Sequence, residues 1–140
     1  MNNKISFHYE TDFLLENTKS FIRWIKNVIS EENKELGEVH YIFCDDEYLL
    51  EKNIKYLDRD TLTDIITFNY CEGDIISSDI MISIERVMEN SSIFENSFSE
   101  ELNRVMIHGI LHLIGYNDKT DDEKEIIRKK EDYYINKFVI

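Results

Sequence analysis

Proline, alanine and glutamine are absent from the 140 residues, and glycine occurs only four times. No Pro-rich or Gly/Ser-rich stretch is left on which a second domain could hinge. The two cysteines, Cys44 and Cys71, form no Cys-x-x-Cys pair and cannot staple a chain of this length, so both read as ordinary thiols. No apolar run reaches the roughly 18 residues that span a bilayer, and the stretch from Met1 to Glu10 lacks the apolar core of a signal peptide. A cytoplasmic address is expected. Positive charge is scarce, since 16 Lys and Arg face 29 Asp and Glu and leave a net −13. Such a surface has no general attraction for nucleic acid or for an anionic membrane, so any nucleic-acid contact must be local.

What the chain does contain is a core. Leu, Ile, Val and Phe supply 44 of the 140 residues, 21 of them Ile. That is enough for one domain over residues 1–140 that buries roughly two-thirds of the surface exposed when unfolded. Alternation at Ile5, Phe7 and Tyr9 predicts a strand over Ile5 to Tyr9. Asp12 then caps a predicted helix from about Phe13 to Ser30, with Leu14, Phe21, Ile25 and Val28 on its core face. Val39 to Cys44 is apolar on both faces, as in a strand covered on both sides, and His40 is expected at its edge. Asp45 or Asp46 opens a helix over about Glu47 to Leu57, and strands are predicted at Ile65 to Tyr70 and Ile80 to Ile84. Helices follow at about Glu85 to Phe94, Ser99 to Ile114 and Asp121 to Phe138. Strands interleaved with helices point to an α/β (α+β) domain with a small mixed sheet of about four strands flanked by helices.

The informative segment runs from Met106 to Asp118. His108 and His112 are four apart on a helix, so both imidazoles leave one face a single turn apart and can share one ion. Leu102, Val105, Met106, Ile107, Ile110, Leu111, Leu113 and Ile114 make the rest of that helix apolar, so the two histidines project from a buried element and need partners. Gly115 can end the helix in a left-handed turn, and Asp118, three residues on, can swing back toward the pair. This spacing matches that of zinc proteases with three protein ligands, except that Gly109 stands where those enzymes carry a Glu as general base. A glycine there leaves room for a substrate to approach the metal. His8 and His40 are the rival third ligands, and Asp118 is preferred because the turn delivers it.

The run His108-Gly109-Ile110-Leu111-His112-Leu113-Ile114-Gly115-Tyr116-Asn117-Asp118 resembles the His-Gly-x-Leu-His-Leu-x-Gly-Tyr-Asp-His signature of the YbeY family, bacterial endoribonucleases of rRNA maturation. Two further stretches resemble family segments: Asn53, Tyr56, Leu57, Arg59, Asp60, Leu62, Thr63, Asp64, Ile65, Ile66, Thr67 and Phe68, and Ser78-Asp79-Ile80-Met81-Ile82-Ser83. The resemblance implies a metalloprotease-like fold with the metal site on a long central helix, zinc as cofactor, and single-stranded rRNA as substrate. Two departures stand out. Asp118 occupies the place of the family's third histidine, which keeps a competent zinc ligand but cancels one more charge and leaves other divalent transition metals open. Leu57 occupies the place of the arginine that handles RNA phosphate, and Arg59, at the family's lysine position, is the candidate substitute.

The expected function is therefore a metal-dependent, single-strand-specific endoribonuclease acting in rRNA maturation and ribosome quality control, its ion held by His108, His112 and Asp118 with one position open to water. Lys52, Lys55 and Arg59 at i, i+3 and i+7 would form one basic stripe if their helix continues that far. Arg128, Lys129 and Lys130 are expected on an ordinary solvated helix surface. Thr63 and Asp64 are expected at a strand start and receive no chemistry, and Tyr116 is expected to pack under the turn. A zinc metalloprotease is the first rival. The second is a non-catalytic ribosome-assembly factor with a structural metal, which an acidic chain could serve by docking on a basic ribosomal protein.

Overall fold

A computed structural model describes residues 4–59 and 62–140. Asp60, quoted in the second motif above, lies outside the described residues. Among the described residues nine elements follow one another: β1 (Lys4–Tyr9), α1 (Thr18–Glu31), β2 (Glu35–Cys44), α2 (Asp46–Leu57), β3 (Ile65–Asn69), β4 (Ile75–Ser83), α3 (Ile84–Ile93), α4 (Phe98–Ile114) and α5 (Asp121–Ile135). The four strands form one mixed sheet in the order β1-β2-β4-β3. β1 and β4 flank β2 in parallel, and β3 runs antiparallel along β4. No helix among the described residues is long and apolar enough to cross a membrane.

Val39, Tyr41 and Phe43 of β2 and Ile80 and Ile82 of β4 are fully buried, in one cluster with α1 and α4. The Tyr41 hydroxyl donates to the Met106 carbonyl at 3.0 Å, which fixes the central strand to the helix that carries the histidines. On the other face Cys44, Leu49 and Ile66 form a smaller cluster under α2. α2 begins where Asp45 accepts the Tyr48 N–H at 2.8 Å.

Several expectations shift. α1 starts at Thr18, behind Asn17 in the left-handed region, rather than after an Asp12 cap. The residues before it pack as an irregular segment: Phe13 stacks edge-on against Phe43 at 5.2 Å, whereas Leu14, expected in the core, is 75% exposed. β4 begins five residues earlier than its apolar run because Ser78, fully buried among Ile76, Ile80 and Ile82, breaks the alternation only in polarity. α5 ends at Ile135, and Phe138 beyond it packs on Phe21 and Trp24. His40 is not at an edge but in the middle strand, paired with Ser6 and Asp79.

Candidate active site

α4 buries Leu102, Val105, Met106, Ile107, Ile110, Leu111 and Leu113, which leaves His108 and His112 on the face turned from the core. Their rings lie parallel within 7°, centroids 6.5 Å apart. Gly115 ends the helix at φ 130°, a conformation other residues rarely adopt, and the Gly115 and Tyr116 N–H groups both bond back to the Leu111 carbonyl. The turn is anchored at its far side by the Tyr116 hydroxyl, which donates to Glu32 Oε1 at 2.6 Å. Tyr116 thus packs under the turn. Its carbonyl accepts a bond from His112 Nδ1 at 3.2 Å, which leaves Nε2 of a neutral His112 with its lone pair outward.

The reversed chain brings Asp118 to His108, with Oδ2 3.4 Å from Nε2. On the other side of the same ring, His108 Nδ1 meets Glu131 Oε2 at 2.6 Å, and the second oxygen of Glu131 accepts from Arg104 at 2.9 Å. Burial alone would depress the His108 pKa; the Glu131 hydrogen bond and the charges of Glu131, Asp118 and Asp64 outweigh it and hold the imidazole above the ordinary histidine value. Asp64 responds in reverse. Burial pushes its carboxyl up, against the opposing charges of His108 and Arg86 and bonds from its own and the Ile65 N–H. Glu131 contradicts the solvated-surface reading of this part of α5, since it is 5% exposed and lies on the same helix face as buried Ile127 and Tyr134. Nor are its neighbours uniform: Lys130 is paired with Glu32 at 3.1 Å, and Arg128 lines a cavity beside His108.

A cleft of about 640 Å³ runs along this face, with Arg59, Thr63, Asp64, His108, His112, Asp118 and Lys119 among its walls. Arg59 gets there by a route unlike the predicted stripe. α2 stops at Leu57, Asp58 adopts a left-handed conformation at φ 51°, and the Arg59 N–H bonds back to Asn53. Lys52 and Lys55 stay behind on α2, over the rings of Tyr48 and Tyr56. Gly109 also differs from expectation in part. It borders the cleft, but a Cβ there would meet Ile65 Cδ1 at 2.9 Å and Ile80 and Thr67 methyls at 3.4 Å, so the space it frees is taken by the sheet. His8 and His40, the rival ligands, lie together across β1 and β2, nitrogens 3.2 Å apart, and neither lines this cleft.

Two zinc ligands on one tetrahedral ion stand roughly 3.3 Å apart. The 3.4 Å between His108 Nε2 and Asp118 Oδ2 suits that geometry, and the donor set of two imidazoles and a carboxylate suits a borderline divalent metal. As they stand, no three His, Cys, Asp or Glu side chains among the described residues form a group that could hold an ion. Sequence reasoning missed Glu131 and gave Asp64 no chemistry. The signal for Glu131 was available: a carboxylate at core phase in α5, between Ile127 and Tyr134.

The Endoribonuclease YbeY family model matches residues 5–139. An Endoribonuclease YbeY of Flavobacterium psychrophilum is 55% identical over 134 residues, which is 96% of either chain, and that of Karelsulcia muelleri is 50% identical over 94% of this chain and 93% of its own. The solution structure of a Thermotoga maritima protein superposes with a TM-score of 0.69 at 27% identity, covering 96% of this chain and 89% of that one. With its motif, its fold and nearly its whole length matched, the chain belongs to the YbeY family of endoribonucleases.

Proposed function

We propose that the chain cleaves single-stranded RNA in ribosomal RNA maturation, and that it does so with zinc, or another divalent transition metal, held by His108, His112 and Asp118. The observation that carries the ion site is the approach of Asp118 to His108 across the turn that Gly115 makes. When bound, the ion supplies a lowered pKa for a water molecule and polarisation of a phosphoryl oxygen. The residues around it bind and orient the strand. Arg59 and Lys119 line the cleft, Lys124 and Arg128 the cavity that adjoins it, and none of the four side-chain charges is ion-paired with a carboxylate among the described residues. On a chain of −13 these are the groups available to backbone phosphates, and phosphate contacts position a strand without reading its sequence. The acidic remainder directs any protein contact toward a basic partner, such as a ribosomal protein. A peptide-cleaving reading is disfavoured, because Gly109 faces Ile65 and Ile80 with no room for a general-base Glu.

Elemental analysis of the purified protein beside a chelator-sensitive RNA cleavage assay tests this reading. One ion per chain is expected, with metal and cleavage both reduced in Asp118→Ala and in His112→Ala. Full metal content and activity in Asp118→Ala would refute the ligand assignment. Undiminished cleavage in Arg59→Ala would remove Arg59 from the phosphate contacts.

A further inference from the structure

Glu131 is an unusual group for a helix surface: its side chain is 6% exposed, on an element whose other buried residues are Ile127 and Tyr134. A buried carboxylate needs partners for both oxygens, and Glu131 divides them. Oε1 accepts from Arg104 Nη1 at 2.9 Å, Oε2 from His108 Nδ1 at 2.6 Å, and Arg104 is itself held from outside by Asp132 at 2.6 Å. A carboxylate that served only to tie α5 to α4 through Arg104 would have no need of the ring, yet the shorter of its two contacts is to the ring. An ionised carboxylate can only accept, so His108 must donate from Nδ1. In the neutral imidazole this leaves the lone pair on Nε2, the atom that faces Asp118 and the cleft.

We propose that Glu131, fixed by Arg104, is the positioning residue of the site: it selects the Nδ1–H tautomer of His108 and locks the ring's orientation. The inference rests on the metal reading above and adds to it an asymmetry between the two histidines. His112 donates its Nδ1 proton to a neutral backbone carbonyl at 3.2 Å, whereas His108 donates to a buried anion at 2.6 Å. Charge-assisted bonds are the shorter and stronger kind, so His108 is the more firmly held of the two ligands.

Two measurements on the full chain decide it. Side-chain 15N shifts of the metal-free protein, in buffer alkaline enough to keep the ring neutral, report the His108 tautomer; competition with a chromophoric chelator at fixed pH reports zinc affinity. Wild type should show the Nδ1–H tautomer alone. Glu131→Ala should mix the tautomers and weaken zinc binding by about 10- to 100-fold. Glu131→Gln, whose amide oxygen can still accept the Nδ1 proton, should keep the tautomer and lose about tenfold in zinc affinity, the lower end of that range. Asp132→Asn, which alters only the exposed end of the Arg104 contacts, should move neither reading. A purely structural Glu131 would lower thermal stability on substitution and leave tautomer and affinity alone, and that result overturns the proposal. If Glu131→Ala does not fold, unchanged zinc affinity in Glu131→Gln overturns it equally. Wild type binding zinc no better than His112→Ala would instead overturn the metal reading, a separate failure that the tautomer measurement does not share.

Discussion

Replacing Gly109 by alanine adds one methyl group at the point where α4 presses on the sheet. The new Cβ would lie 2.9 Å from Ile65 Cδ1 and 3.4 Å from methyls of Ile80 and Thr67. The first distance is too short for two carbons, and the atom met is the mobile end of a half-buried side chain, so Ile65 must shift. Overpacking of this kind costs about 1–3 kcal/mol. Against it, alanine in a helix interior gains about 0.8–1.0 kcal/mol over glycine. The difference predicts a net destabilisation of about 1 kcal/mol, or a drop in Tm of about 3–5 °C for a chain of this length. Urea or thermal unfolding followed by circular dichroism measures it. Ile65→Val removes the Cδ1 that clashes, so the double variant should lose less than the sum of the two single ones by about 0.5 kcal/mol or more. If Gly109→Ala is instead more stable than wild type by the full helix-propensity gain, or if the two substitutions add, then α4 and β3 do not meet as described. The reason Gly109 excludes a protease base would fall with it.

Tyr116→Phe deletes the hydroxyl bonded to Glu32 but leaves that carboxylate with Tyr134 and Lys130, so a loss near the low end of the range for a charged hydrogen bond, about 1.5 kcal/mol, is expected in urea unfolding. Burial pushes the Glu32 carboxyl up, but bonds from Tyr116, Tyr134 and Lys130 outweigh this and hold it below the ordinary glutamate value. Its stabilisation is therefore present above the unfolded-state pKa and lost as pH falls through the depressed one, and in Tyr116→Phe, where the depression is smaller, the loss should be smaller and complete at a higher pH. Gly115→Ala forces a side chain into φ 130°, at a cost of about 1–3 kcal/mol, and should weaken zinc binding in the same chelator competition, because the turn sets both the His112 bond to Tyr116 and the approach of Asp118. Burial, with the charges of Asp45, Asp46 and Glu10, pushes the Cys44 thiol up to about 12. It should resist thiol reagents until the chain unfolds, and the stability it contributes should be lost as pH rises from about 8.5, the unfolded value, toward 12.

What could be read from the residues and what could not separates along the chain by distance. The span from His108 to Asp118 is legible because its geometry is local: a helical turn relates the histidines, and a glycine at φ 130° returns the carboxylate within three residues. α4 itself is legible because it is apolar on nearly every side, and periodicity reports burial directly. Where one polar atom is satisfied inside the core, the same signal fails. Ser78 is as buried as its isoleucine neighbours, and its hydroxyl, bonded to the Asp79 carbonyl at 3.1 Å, hid half of β4. Arg59 reaches the cleft only because Asp58 turns left-handed, and a helical projection from Lys52 and Lys55 carries it to the wrong face. Glu131 and Glu32 act on the site from α5 and from the end of α1, 23 and 84 residues from the groups they hold. A charge inside a charged run looks solvated until the helix phase is counted. At Glu131 the phase, set by Ile127 and Tyr134, was the better guide than the charge: on an amphipathic helix a carboxylate in the buried register implies a buried donor opposite it, and here the donors are His108 and Arg104.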